Sequence, residues 1–130
     1  YELADLRFGG CRMSWCTPAG DDPTADAVAR FGVVRVATKY VNCAERFFES
    51  TGRKAEIVKV NGSVELAPLV GLSDGIVDLV ATGRTLRENG LVEREAIFES
   101  TARLIANRVS HKMRAAELDD LVRRMEQVVA

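Results

Sequence analysis

The chain is short of most residues that carry catalysis by themselves. It has one histidine, His111, which excludes a multi-histidine metal site. Beside Lys112 that lone imidazole reads as a solvated side chain, and no role is given to it. No metal-ligating residues stand out. There are three cysteines, Cys11, Cys16 and Cys43, an odd number with no Cys-x-x-Cys pair. On one strand Cys11 and Cys16 would point to opposite faces, so free thiols in a reducing cytoplasm are expected. Aromatic residues make up 6%, so the core must be mainly aliphatic. No uncharged run approaches the ~18 residues of a membrane span, and the opening does not read as a signal peptide. Nor is there a basic excess: 18 Lys and Arg face 19 Asp and Glu, for a net charge of −1. A general nucleic-acid binder would carry more positive charge. A small anionic ligand remains open, because a cradle of backbone N–H groups needs no net charge.

What is present is ordinary for one globular domain: 130 residues, 47% apolar and 28% charged. There is no internal repeat, linker or low-complexity stretch. Cys11 to Thr17 reads as a strand, and Pro18 to Pro23 as a turn-rich loop. A short helix is expected over 24–31 and a β-branched strand over 33–38. Asn42 looks like a helix N-cap with Glu45 three residues on, close to a capping box. That helix should run from Cys43 to Ser50 and stop near Gly52. A strand over 55–60, a turn at Asn61-Gly62-Ser63 and a short helix at Val64 to Leu66 follow. Asn61-Gly62-Ser63 also matches the glycosylation pattern but is read as a turn only. Gly75 to Ala81 is the next strand, and short extended stretches are expected at 95–99 and 102–106. From Ser110 onward the spacing of Met113, Leu118, Leu121, Val122, Met125, Val128 and Val129 is that of one amphipathic helix. Strands alternate with helices between Val33 and Leu91, which implies parallel βαβ units.

The densest chemical signal lies between Asp78 and Leu86. An apolar strand, Ile76 to Val80, runs into Thr82-Gly83-Arg84-Thr85, and a polar, helix-compatible segment follows. A strand that turns on glycine and hydroxyls into a helix start leaves backbone N–H groups free for an anion. Thr82 and Thr85 add hydroxyl donors, and Gly83 lets the backbone approach a ligand. Asp78 sits near the carboxyl end of the strand, where a carboxylate can accept hydrogen bonds from sugar hydroxyls. An acid followed by Thr-Gly-x-Thr suits a phosphorylated ribose, and no Walker-type Gly-Lys-Ser/Thr occurs. The plain alternative is a strand-to-helix turn that needs glycine for its geometry.

The surrounding motifs carry a resemblance. Arg35-Val-Ala-Thr-Lys-Tyr40, Val58 to Pro68, Gly71 to Leu86, Asn89-Gly-Leu91 and Ser100 to Ala106 stand in the order and near the spacing found in the catalytic subunit of ATP phosphoribosyltransferases, and Leu6 to Arg12 also fits. The chain resembles the second half of that subunit and matches only weakly over its last twenty or so residues. Val41 departs from a proline common in the family, and Cys43 from a plain apolar residue.

The resemblance implies a type II periplasmic-binding-protein-like, two-lobed α/β fold. Residues 1–16 would end the first lobe and form a crossover strand, 17–98 would be the second lobe, and 99–130 would cross back and close with a first-lobe helix. It also implies that this chain lacks the preceding part of the first lobe, which helps bind ATP, so that the fragment alone is inactive. The implied reaction moves phosphoribose from phosphoribosyl pyrophosphate to N1 of ATP, the first step of histidine biosynthesis, with Mg2+ accompanying the pyrophosphate. In this reading Ala81, Thr82, Gly83, Arg84, Thr85 and Leu86 hold the 5′-phosphate, and Asp78 takes the ribose hydroxyls. Arg84 either neutralises phosphate or points to solvent. Thr38 and Lys39 follow another strand and face the same cleft, with Lys39 either on a phosphate or in solvent. Glu65 either faces the cleft or serves as a helix N-terminal charge. A short form of the enzyme is implied, with a histidyl-tRNA-synthetase-like regulatory subunit in a cytoplasmic hetero-octamer, without nucleic acid or membrane. The competing reading is a non-catalytic lobe of the same architecture that binds a small anion.

Overall fold

The structure is a computed structural model that describes residues 1–129, and these form two compact units, Arg12–Glu99 and Tyr1–Cys11 with Ser100–Ala130. The larger unit is built on a mixed five-stranded sheet. Its strands are β2 (Cys11–Pro18), β3 (Val34–Thr38), β4 (Ala55–Lys59), β5 (Gly75–Val80) and β6 (Leu91–Ser100), in the order β4-β3-β5-β2-β6. β3 pairs in parallel with β4 and β5, as the alternation of elements requires, and β2 pairs antiparallel with β5. The α/β architecture is the expected one.

Alternation along the strands sends side chains to two faces, and each face has its own core. On one, Met13, Trp15, Val34, Val36 and Val77 meet Ala27 of α1 (Thr24–Phe31) and Ala44 and Phe48 of α2 (Val41–Ser50). Trp15 and Phe48 meet edge to face at 5.1 Å. On the other, Cys16, Ala37, Ile76, Val80 and Leu91 meet Val64 and Ala67 of a 3-10 turn (Val64–Leu66) and Leu86 of α3 (Arg84–Glu88). Gly75 is glycine because of Trp15: a Cβ there would lie 2.4 Å from the indole and 2.5 Å from the Cys16 carbonyl oxygen. The opening strand of the site is therefore placed by an aromatic ring lying flush on its first residue.

The smaller unit pairs β1 (Glu2–Asp5) antiparallel with β7 (Arg103–Ile105) and carries α4 (Arg108–Met113) and α5 (Ala115–Val129).

Several local expectations need correction. α2 starts at Val41, so Asn42 lies inside its first turn and makes no capping bond; no side chain caps this helix. The turn is closed instead by the Tyr40 N–H donating to Thr38 Oγ1 at 2.9 Å. The extended stretch expected at 95–99 is longer, because β6 enters the sheet at buried Leu91 beside β2. The single C-terminal helix is two, broken at Arg114, whose φ of −127° is not helical. Asn107, which the periodicity did not single out, caps the first of them through the Val109 N–H at 2.8 Å.

Candidate functional site

β3 and β5 run in parallel, so their carboxyl ends open on the same edge of the sheet, the edge where ligands of α/β sheets bind. At the end of β5 lies a cleft of about 220 Å³, lined by Glu65, Asp78 and the continuous run from Leu79 to Leu86. Most of the residues singled out in the sequence thus meet at one place.

Gly83 makes its turn. It caps α3 with φ +78°, a left-handed conformation that side chains with a Cβ adopt only at a cost. The Arg84 N–H donates to Thr82 Oγ1 at 3.3 Å, and the Arg87 N–H closes the first turn on the Gly83 carbonyl at 3.0 Å. Among the described residues, the N–H groups of Thr82 and Gly83 have no backbone partner outside the regular ladders, and neither residue belongs to a strand. Leu86 is buried in the second core and anchors the far side of the loop. Asn89 Nδ2 donates to the Thr85 carbonyl at 2.8 Å, which closes the end of this short helix.

Asp78 is half-buried, and its Oδ1 accepts the Leu79 N–H at 2.9 Å. Burial pushes its carboxyl above the ordinary value, helped by the nearby negative charge of Glu65; the Leu79 N–H and the charge of Lys39 act in the other direction. Lys39 is exposed, close enough for its charge to act on Asp78. Glu65 is half-buried in the first turn of the 3-10 segment and lines the cleft as well.

Two expected contacts are differently placed. Thr38 is fully buried, donates its hydroxyl proton to the Val77 carbonyl at 2.7 Å and accepts the Tyr40 N–H. Its hydroxyl shapes the β3 turn and, fully buried, has no proton left to donate to a ligand. The Arg84 guanidinium pairs with Glu88 at 2.9 Å, one helical turn on, and stays 79% exposed. The side chain is thus exposed and paired, while Arg84 still lines the cleft.

The loop is instead touched from behind by two arginines that the motif did not single out. Arg87 Nη1 donates to the Thr82 carbonyl at 3.1 Å, and Arg12 Nη1 to the Ala81 carbonyl at 3.4 Å. Arg12 is itself held by Glu93, through Nε to Oε2 at 2.7 Å and through Nη2 to Oε1. Ser14 Oγ, fully buried, donates to the same carboxylate at 2.9 Å. The Arg12 guanidinium and the Ser14 hydroxyl hold the Glu93 carboxyl below its ordinary value. Arg87 has a faint signal in sequence, four residues after the glycine. Arg12 has none, since 69 residues separate it from Ala81. Cys16, in the same region, is buried and its thiol is pushed up to about 12 by desolvation, then by Glu93 and Asp78, so it carries no thiolate chemistry.

A family model described as "HisG: ATP phosphoribosyltransferase" matches residues 1–127. The chain is 52% identical over 129 residues to an ATP phosphoribosyltransferase of Caldanaerobacter subterraneus, covering 99% of this chain and 59% of that protein. It is 54% identical over 122 residues to one from Rubrobacter xylanophilus, covering 93% and 56%. It spans about 60% of the length of such relatives. Among solved structures, it superposes on a chain of the ATP phosphoribosyl transferase (HisG:HisZ) complex from Thermotoga maritima with a TM-score of 0.83 and 33% identity, covering 99% of this chain and 61% of that one. The holo arginine-binding protein of T. maritima, at TM-score 0.58 and 14% identity, shares the fold alone, which is of the type II periplasmic-binding-protein kind. With the family model spanning nearly its whole length, the chain belongs to the HisG family of ATP phosphoribosyltransferases.

Proposed function

We propose that this chain is the phosphoribosyl-pyrophosphate-holding part of an ATP phosphoribosyltransferase, which transfers phosphoribose to N1 of ATP in the first step of histidine biosynthesis. The observation that carries this reading is the cleft at the end of β5, where a half-buried carboxylate and an anion-cradling loop face the same small volume. The free N–H groups of Thr82 and Gly83, with the hydroxyls of Thr82 and Thr85, hold the 5′-phosphate. Asp78 accepts hydrogen bonds from the ribose hydroxyls and fixes the ring. A bond from the anomeric carbon to N1 of adenine then forms as the bond to pyrophosphate breaks. The sugar carries positive charge in the transition state of this exchange, and a carboxylate fixed beside it favours that charge. Lys39, exposed and close enough for its charge to act on Asp78, offers a point charge to the leaving phosphates.

Asp78 and Glu65 also fit Mg2+ brought in with the substrate. That ion takes one or two carboxylates and fills its remaining positions with phosphate oxygens and water. When bound, it supplies charge neutralisation on the pyrophosphate. No cluster of three or more acidic, His or Cys side chains suited to holding a metal alone occurs among the described residues. The three free thiols fit the cytoplasm. The likeness to the T. maritima HisG:HisZ complex supports a HisZ-like regulatory subunit as partner, and a hetero-octamer is proposed as the assembly.

The test is ATP- and Mg2+-dependent consumption of phosphoribosyl pyrophosphate by the complete enzyme that carries this chain, with and without such a partner. Phosphoribosyl-ATP should form, and Asp78→Asn should lower kcat by about 100-fold, an effect equal to ~2.7 kcal/mol of transition-state stabilisation. Wild-type turnover in Asp78→Asn would remove Asp78 from the mechanism. Tight binding of the sugar phosphate without any product would favour a binding lobe.

A further inference from the structure

We infer that Arg12 and Arg87 are positioning residues that aim the phosphate-holding amides of the loop; this rests on the reading of the cleft given above. A peptide unit is planar and trans, so its carbonyl and its N–H point in opposite directions. Holding one end fixes the other. Arg12 donates to the Ala81 carbonyl, which belongs to the same peptide unit as the Thr82 N–H. Arg87 donates to the Thr82 carbonyl, which belongs to the same unit as the Gly83 N–H. Among the described residues, neither of these two amides has a backbone partner, and the Thr85 and Leu86 N–H groups that follow them are free in the same way. Two guanidiniums on the carbonyl side therefore turn two successive N–H groups to the opposite side.

The need for such help follows from Gly83. Glycine reaches φ +78° freely but reaches other conformations as freely, so the residue that permits the turn does not hold it. Helix α3 has five residues and adds little rigidity. Arg87 supplies the constraint locally: its Nη1 would lie 3.2 Å from a Cβ at Gly83, so the guanidinium lies across the glycine itself. Arg12 supplies it from the sheet, since its head is held by Glu93, whose carboxylate accepts in turn from buried Ser14. A guanidinium hydrogen-bonded to a carbonyl also polarises the peptide unit, which makes the opposite N–H a better anion donor. The two arginines act through the backbone and need not touch the ligand.

The test is titration of the complete enzyme that carries this chain with ribose 5-phosphate by calorimetry, together with the amide NMR signals of Thr82 and Gly83. Arg87→Ala is the cleaner variant, because Arg87 is exposed and its loss leaves no buried charge. It should weaken binding about tenfold, an effect of ~1.4 kcal/mol. It should shift the Gly83 amide signal in the free protein and leave the melting temperature within about a degree. Arg87→Lys, which keeps one donor and the charge, should recover at least half of the lost binding energy. Arg30→Ala removes the same charge on a remote helix and should bind as the wild type does. Should Arg87→Ala bind like the wild type, or Arg30→Ala weaken binding equally, the positioning role is wrong and only a diffuse charge effect remains. A wild-type enzyme that fails to bind ribose 5-phosphate at all would overturn the reading of the cleft, and this inference with it. Arg12→Lys is a second variant that keeps a charge beside Glu93. It should shift the Thr82 amide and weaken binding less than Arg87→Ala; an unmoved Thr82 signal would confine the positioning role to Arg87.

Discussion

The two units of the chain differ in how much of their apolar surface they bury. In the larger one, both faces of the sheet are covered, and Trp15, Phe48, Ile76, Leu91, Val34, Val36, Val64 and Val77 are among its fully buried side chains. In the smaller one only Ala4 and Leu6 are buried among the described residues, while α4 and α5 bury no residue completely. Met113 and Val128, two residues of the amphipathic stripe, are 79% and 84% exposed. An amphipathic pattern fixes which residues could share a face, and a core forms only where a second layer meets that face. The candidate site stands on the unit where that second layer exists. This matters chemically, because a loop that must hold amides in a set direction needs a rigid base.

The sharpest way to break the comparison is to cut one large apolar residue from each unit. Phe48→Ala removes the edge-to-face partner of Trp15 and opens a cavity between α2 and the sheet. Its expected cost is about 4 kcal/mol. Leu121→Ala, at a side chain already 46% exposed, should cost less than about 1 kcal/mol. Chemical denaturation of both variants measures the contrast, and equal losses would show that the smaller unit has a core after all. Gly75→Ala should come next in size. Its methyl group meets backbone as well as the indole, so neither side gives way cheaply. Overpacking of this kind costs about 1–3 kcal/mol. An unchanged melting temperature would mean that Trp15 moves freely, against its close fit on β5.

The contrast also explains what was legible in the sequence. The parallel βαβ order, the limits of α1 and the Asp78 to Leu86 loop followed from period, glycine and hydroxyl spacing, which are local signals. The start of α2 was missed because the Thr38 hydroxyl closes that turn from outside the helix, in place of a cap at Asn42. Thr38 itself read as a ligand contact, since a hydroxyl after a strand looks the same whether it faces a cleft or the Val77 carbonyl. Arg84 could be read from the motif either as a phosphate partner or as a solvent-facing side chain, because the spacing does not show that Glu88 one turn on pairs with its guanidinium. Arg12 and Glu93 lie 81 residues apart, and only the placing of β6 beside β2 brings them together. Local geometry is written in neighbouring residues; which side chain supports the loop from behind is decided by strand order.

A smaller effect sharpens the account of that support. Glu93→Gln keeps the size of the side chain and weakens the charged bonds to Arg12 and Ser14. At neutral pH it should cost about 1–2 kcal/mol, the range for hydrogen bonds to a charged group, reduced by partial exposure. The folded pKa of Glu93 lies below its ordinary value. Its stabilisation is therefore complete above the ordinary carboxylate range and disappears as pH falls through the depressed value. The wild type and Glu93→Gln should converge in stability on acidification. A gap that stays constant with pH would mean that the carboxylate acts by shape alone.

The smallest effect has the opposite sign. Asp78 is a site residue whose folded pKa is raised, chiefly by burial, so the folded chain holds its proton more tightly than the unfolded one. Stability then falls as pH rises from the ordinary carboxylate value of about 4 through the raised one. Asn in its place carries no charge at any pH and can still accept the Leu79 N–H through its side-chain oxygen. Asp78→Asn should therefore melt slightly higher than the wild type at pH 7 and at the same temperature near pH 3. Thermal melts across that range measure it, and a variant less stable at pH 7 would show that the carboxylate is stabilised by its surroundings. A gain in stability together with the loss of turnover would mark Asp78 as a group kept ionised, at some cost to the fold, for the ligand it faces. The larger unit can bear that cost because both faces of its sheet are packed, and for that reason the gain should be small.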